Sequence, residues 1–429
     1  MRRQELAGAL RQPYSPARGF GLAKVGKPGY ENIWFVVPPK PPRRLSESPD
    51  LRLLREANLA LQARPPMQSA SELEQTTAFL LINREAVSSS RMEGTWSTID
   101  DVLSPIQGDR SAAISVRGYA SALVHAFNEV RGNGLAALTP GLLCGLHERF
   151  MAKDPHFRGI AGRLRAPGLP GDVVQIGSFG RREESIYNPA PPAQVASCLG
   201  DVLDWMRDES LAELGDAGMG LSLPIRMAIG HAHFEAVHPF SDGNGRVGRM
   251  LWAIQMAASG ILPLYLSGYV EVNKDEYGAA LAEAQKQLSY RRIVAFVCRA
   301  IVVSSDEESE TQQVLQSLPV TWQQRGAFRR GSSASRALEL LARRPIVTVK
   351  ELAARLNVST QAANEAVRRL EHAGVVRERS GRGRGKVYAA EEAISVLARS
   401  FGSDPEIALE GARNLLTTES RQYPARNGG

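Results

Sequence analysis

Cysteine is scarce in this 429-residue chain: Cys144, Cys198 and Cys298 are the only three, far apart and without C-x-x-C spacing. That argues against a disulfide framework and a structural zinc site, and it points to a reducing, cytoplasmic setting. No apolar run reaches membrane-spanning length, so no membrane partner is expected. The charged start, Met1-Arg2-Arg3-Gln4-Glu5-Leu6, has no apolar stretch behind it, so no secretion signal is read there. A G-x-x-x-x-G-K-[ST] phosphate loop is also missing.

The length predicts two or more domains, and a hydrophobic content of 43% is enough for substantial cores. The net charge of +7 is uneven. Residues 1–44 hold nine Lys/Arg against two acids, and residues 325–386 hold fifteen against five. The stretch between them is acidic. Such a distribution speaks to partners rather than fold.

One run of twelve residues concentrates chemistry: His238-Pro239-Phe240-Ser241-Asp242-Gly243-Asn244-Gly245-Arg246-Val247-Gly248-Arg249. His238 can take a proton near neutral pH. Asp242 offers a hard oxygen to Mg²⁺, which usually binds one or two carboxylates plus substrate phosphates. Gly243 and Gly245 allow backbone shapes in which successive N–H groups face an anion. Arg246 and Arg249 share a helical face and can fork onto phosphate oxygens. Gly243 to Gly248 also reads G-x-G-x-x-G, but that dinucleotide fingerprint needs a preceding strand. Pro224 to Val237 has helical spacing instead, so the nicotinamide reading is rejected. The plain alternative is a glycine-rich turn with a capping Asp.

The run resembles the Fic family signature, H-P-F-x-D-G-N-G-R-x-x-R, at every fixed position. The resemblance implies a mainly α fold, a Fic-type helical bundle with a β-hairpin flap. It implies transfer of AMP from ATP to a Ser, Thr or Tyr hydroxyl of a target protein or of the chain itself. His238 is then the general base and Asp242 the Mg²⁺ ligand. Gly243, Asn244 and Gly245 form the phosphate cradle, with Arg246 and Arg249 as phosphate contacts. Upstream, Ser89-Ser90-Arg91-Met92-Glu93-Gly94 is similar to the family's inhibitory motif, S-x-x-x-E-G. Its Glu93 is expected to pair with Arg249 and fill the γ-phosphate space. Because the motif precedes the signature, its helix is intramolecular or comes from a partner in a homodimer. In some family members this Glu serves AMP removal, so the reverse reaction stays open, as does another phosphate donor.

Elsewhere the resemblance is looser. Arg163-Leu164-Arg165 and Val173 to Ile176 look β-like and predict the flap hairpin. Where the family shows adjacent aromatics and an Asn near the nucleotide, this chain has Tyr277-Gly278 and Gln285. His231 and His233 lie near His238 but lack zinc spacing, so packing or hydrogen bonding is expected of them.

The C-terminal pattern is independent. Ser335 to Arg343 predicts a helix stopped by Pro345. Thr348-Val349-Lys350-Glu351 is a capping box, Ser359 caps a second helix, and Gly374 ends it. Val375 to Arg379 and Lys386 to Tyr388 predict short strands around a basic tip. This order resembles a winged helix. Gln361, Asn364, Arg368 and Arg369 would face the DNA major groove, and Arg382 and Arg384 would reach phosphate or the minor groove. Protein interaction is the alternative role.

The expected layout is a basic Pro/Arg-rich arm over residues 1–50, flexible in its first thirty. A helical region with the inhibitory helix follows over 51–110, and a catalytic domain over 111–303. A linker over 304–331 opens on the exposed acidic run at 304–310. A winged helix over 332–392 and a tail over 393–429 complete it. The alternative to an enzyme is a DNA-binding regulator whose Fic body senses nucleotide.

Overall fold

The computed structural model describes residues 1–68, 72–104, 111–177, 181–212, 221–379 and 386–422. The fold is mainly helical and divides into two compact units. One holds residues 1–70, 88–95 and 114–305, and the other holds 71–87, 96–113 and 306–429. The chain runs through β1 (Gly21–Ala23), β2 (Phe35–Val37), α1 (Leu51–Gln62), α2 (Glu72–Met92), α3 (Ile99–Leu103), α4 (Ser111–Asn133) and α5 (Pro140–Met151). Next come α6 (Val195–Arg207), α7 (Leu223–Val237), α8 (Asn244–Ala258), α9 (Ser267–Val272), α10 (Lys274–Gln287) and α11 (Arg291–Gly326). The last elements are α12 (Ser333–Arg343), β3 (Ile346–Thr348), α13 (Val349–Leu356), α14 (Thr360–His372), β4 (Arg377–Glu378), β5 (Val387–Ala389), α15 (Glu391–Ala398) and α16 (Pro405–Gln422).

In the first unit α7 is the axis. Every residue from Pro224 to Val237 is buried, with Arg226, His231, His233 and Glu235 among the apolar residues. Its neighbours α6 and α8 pack along it. Trp252 of α8, 1% exposed, donates its indole N–H to the Met227 carbonyl at 3.1 Å, which fixes the α7–α8 register. Thr139 caps α5 by accepting from the Leu142 N–H at 3.1 Å, with Pro140 opening the helix as predicted.

The first thirty residues differ from the expected flexible arm. Leu6, Leu10 and Leu22 are buried with Val36, Tyr187 and Ala236 in one apolar cluster. β1 pairs antiparallel with β2, Leu22 opposite Val36, and the Val36 N–H donates to the Asn188 carbonyl at 3.0 Å. Glycine, arginine and proline suggest a loose chain, but three leucines at these positions suffice to anchor it.

The flap is also rearranged relative to the prediction. Arg163 to Arg165 form no strand. The antiparallel bridge joins Ile176 to Tyr187 instead, with Ile176 N–H to Tyr187 O at 2.9 Å. Arg165 turns inward, and its side chain takes up the carbonyls around it.

The acidic run at 304–310, within which the division between the units falls, is not the exposed stretch expected. It lies inside α11, and Glu307 and Glu308 are each 6% exposed. Glu307 takes Arg84 and Arg399 at 2.7 Å each. Downstream, α12, α13 and α14 pack together beside a sheet of order β3-β5-β4. The Thr348–Glu351 capping box and the Ser359 cap form as predicted, giving the winged helix. β3 was not foreseen. It pairs Val347 with Tyr388.

Candidate active site

The twelve-residue run spans the turn between α7 and α8 and the first six residues of α8. His238 ends α7 in the left-handed region (φ 52, ψ 63), its N–H donating to Phe234 O at 2.9 Å. Gly243, at φ 76, precedes the first residue of α8, Asn244. A helix, not a strand, therefore leads into the glycines. The first-turn N–H groups of α8 have no partner within the helix and point at whatever lies before it.

Asn244 braces the turn. Its side-chain oxygen accepts from the Phe240 N–H and its amide donates to Phe240 O, both at 2.8 Å, at 1% exposure. Its backbone N–H is thus its contribution to any anion cradle. His147 of α5 supports the same loop from below. The Gly162 N–H donates to its Nδ1 at 2.8 Å, so Nε2 carries the proton and donates to Asp242 O at 3.0 Å. The ring stacks on Phe240 with centroids 4.0 Å apart. Burial, mainly, pulls His147 down to about 4, so it is neutral. The carboxylate of Asp242 is exposed, one oxygen accepting from the Gly243 N–H at 2.6 Å.

The two arginines diverge. Arg246 is 3% exposed and reaches Asp154 and Ser115 at 3.3 Å, with its guanidinium 4.9 Å over the Phe150 ring. Arg249 is 2% exposed and faces α2. Its Nε donates to the Ser89 hydroxyl at 2.9 Å, and its Nη2 donates to Ser89 O at 2.9 Å and to Glu93 Oε1 at 2.7 Å. Burial works against the Arg249 charge, but Glu93 outweighs it and holds the guanidinium above its ordinary pKa. Gly94, at φ 80, follows Glu93 just beyond the end of α2 at Met92.

Glu93 also lies against the start of α8. A Cβ built on Gly245 would meet Glu93 Oε1 at 2.3 Å. The carboxylate of Glu93 therefore lies beside Gly245, in the first turn of α8, and on Arg249 together.

Glu235, one turn before His238, escaped the sequence reading. It is 6% exposed, and its Oε2 lies 3.5 Å from His238 Nδ1. Burial pushes its carboxyl up, yet His238, His231 and Arg249 prevail and keep it below the ordinary carboxylate value. Its spacing of three from His238 on a helix was the available signal. Gly248 makes room for it, since a Cβ there would meet Glu235 Oε1 at 2.5 Å.

His231 and His233 hydrogen-bond as expected, to the hydroxyls of Tyr277 (2.7 Å) and Tyr290 (2.8 Å). Tyr277 thus has its hydroxyl turned into the core, at 7% exposure, and Gln285 lies further along α10 at 8%. Among the described residues no cluster of three metal-binding side chains occurs. On α14, Gln361, Asn364, Arg368 and Arg369 are exposed, with Arg369 paired to Glu365 at 3.0 Å. Arg382 and Arg384 lie outside the described residues. No described helix is long and apolar enough to cross a membrane.

Residues 137–256 match the Fic domain of the Fic/DOC family, residues 51–128 match that family's N-terminal region, and residues 331–385 match the MarR family. A protein adenylyltransferase fic-1 of Caenorhabditis briggsae is 37% identical over 110 residues, 25% of this chain and 20% of that protein. Its Caenorhabditis elegans namesake is 37% identical over 120 residues, 28% of this chain and 19% of that protein. The match spans about a fifth of the length of these relatives. A crystal structure of a Fic family protein from Desulfovibrio desulfuricans G20 aligns with a TM-score of 0.46 at 17% identity, covering 81% of this chain and 98% of that one. The chain carries a Fic domain of the Fic/DOC family with that family's N-terminal region, followed by a winged helix of the MarR kind.

Proposed function

We propose that this chain transfers AMP from ATP to a hydroxyl side chain of a target protein, and that Glu93 holds this activity in check. The target oxygen bonds to the α-phosphorus, the bond to the departing pyrophosphate breaks, and the hydroxyl proton passes to His238. With Nδ1 turned to Glu235, Nε2 is the nitrogen that receives it. The first-turn N–H groups of α8 and the Arg249 guanidinium face the charge that develops on the phosphates.

The observation that carries this reading is the α7–α8 turn. It joins a helix-terminal histidine, an exposed carboxylate and a helix N-terminus whose Gly245 has a carboxylate oxygen beside it. Asp242 fits Mg²⁺, which needs few protein ligands when phosphates complete its shell. Bound there, the ion would neutralise phosphate charge. Glu93 supports the inhibitory part, because it engages Arg249 where a γ-phosphate would compete for the same fork.

Intact mass of the Glu93→Gly protein after incubation with ATP and Mg²⁺, beside Glu93→Gly/His238→Ala, tests the reading. A gain of one AMP mass that disappears without His238 supports it. A phosphate-sized gain replaces it with kinase-type transfer. No gain with ATP, alone or with added cell proteins, refutes it.

A second reading, for the C-terminal module, rests on the exposed face of α14. We infer that it binds duplex DNA there. Arg368→Ala should then weaken binding and lower the salt slope by about one. Absence of any gel shift at low salt would sink the idea.

A further inference from the structure

Arg165 is enclosed by the protein at 3% exposure, and its side-chain hydrogen bonds go to main-chain carbonyls rather than to a carboxylate. Its Nε donates to His238 O at 2.7 Å, Nη1 to Asp172 O at 2.8 Å, and Nη2 to Ala190 O at 2.8 Å and Val237 O at 2.9 Å. Its own backbone N–H donates to Pro239 O at 2.8 Å. One residue thus grips three consecutive peptide carbonyls, those of Val237, His238 and Pro239. From the other side it grips Asp172 and Ala190, which bracket the flap loop.

Enclosing a guanidinium is costly because it takes the charge out of water. Burial pulls Arg165 down to about 10, with Asp172 acting the other way, so it remains charged at neutral pH. An apolar side chain would avoid that cost but would leave the carbonyls unpartnered. Two of them lie at the C-terminal end of α7, where no intrahelical donor reaches and where the helix dipole favours a cation. His238 itself adopts a left-handed backbone, which is unfavourable for a residue with a side chain. Such a conformation persists only where its surroundings over-determine it.

We propose that Arg165 is the positioning residue of His238, fixing the left-handed backbone from which the imidazole meets the substrate hydroxyl and tying that backbone to both ends of the flap loop. The role of His238 in this statement rests on the AMP-transfer reading, whereas the clamp itself does not.

The test compares Glu93→Gly with Glu93→Gly/Arg165→Lys, and with Arg165→Met in the same background. Lysine keeps the charge but offers a point donor instead of a planar fork. Steady-state AMP transfer and amide hydrogen exchange of the 237–243 segment are measured together. The expected result is a kcat lower by about 100-fold with KM for ATP changed far less, because the Arg165 side chain bonds neither Asp242 nor Arg249. Exchange of the segment should be about tenfold faster while peptides from residues 331–379 exchange as before. Unchanged exchange, or a kcat within about threefold of the parent, would overturn the proposal. If the Glu93→Gly parent transfers no AMP, the transfer reading fails alone and the exchange result decides the clamp. If both substitutions unfold the protein, Arg165 is a general element of the fold and the proposal is wrong.

Discussion

Replacing Glu93 by Gln keeps the side-chain shape and removes the charge that meets Arg249. The lost ion pair is 2.7 Å long, between a guanidinium that is 2% exposed and a carboxylate that is 34% exposed. A fully buried pair costs about 3–5 kcal/mol when one partner is removed, and an exposed pair at most about 1. With one partner buried and the other wet, and with both Ser89 contacts to Arg249 retained, about 1–2 kcal/mol is expected. For 150–250 residues, 1 kcal/mol corresponds to about 2–4 °C in Tm. The ligand-free variant should therefore melt about 2–8 °C lower in the transition of the unit that holds the site. ATP with Mg²⁺ should raise that transition more in the variant than in the parent, because phosphate oxygens then replace the missing carboxylate on Arg249 without competition. Differential scanning fluorimetry with and without nucleotide reads both effects. An unchanged ligand-free Tm together with an equal ATP shift would refute the account of Glu93 as an internal anion at the cradle.

Three further outcomes are expected. His147, His231 and His233 are held near 4, chiefly by burial, whereas unfolded histidines titrate near about 6.5. The unfolded chain thus binds more protons between those values, and stability should fall as pH drops from 6.5 to 4, by up to about 3 kcal/mol per histidine. In urea titrations across that window, His233→Gln should lower the slope against pH by up to one proton, and an unchanged slope would contradict the assignment. Asn244→Ala removes both bonds to Phe240 and should destabilise by about 1–3 kcal/mol while abolishing AMP transfer. Wild-type transfer in that variant would show that the brace is dispensable. In the second unit, Glu392 is 1% exposed and receives Arg325, Arg413 and the Trp322 indole. Glu392→Ala should cost about 2–3 kcal/mol in denaturant unfolding of that unit, since both arginines retain some access to water, and a change under 0.5 kcal/mol would rule out that role.

What the sequence disclosed and what it hid follow one physical rule. The α7–α8 turn, the caps at Thr139, Thr348 and Ser359, and the pairing of Glu93 with Arg249 all involve short-range spacing or a signature whose partner is specified. Contacts closed only by tertiary structure were invisible. His147 reaches Asp242 across 95 positions and Arg165 reaches His238 across 73, and neither carries a periodic signal. The acidic run at 304–310 was misread for the same reason. Composition alone makes it solvent-facing, but Arg84 and Arg399, remote in sequence, turn Glu307 inward. The N-terminal arm failed differently, because three leucines contribute more to packing than many arginines contribute to solvation. β3, only three residues after a proline, was too short to show.

The residues of the signature divide by what they touch, and the division explains why so much of it is chemically inert. Under the proposed AMP transfer, His238, Asp242 and Arg249 are the members that meet substrate. Phe240 stacks on His147, Asn244 bonds both the N–H and the carbonyl of Phe240, and Gly248 admits Glu235 to within reach of His238. Orientation of a reacting group can be worth several kcal/mol of barrier, and a histidine in a left-handed backbone at a helix end has no intrinsic reason to stay there. The inert members, with Arg165 from outside the run, supply that reason. A short run with the right His, Asp and Arg but without Asn244, Gly248 and a distant guanidinium would keep the donors and lose the geometry.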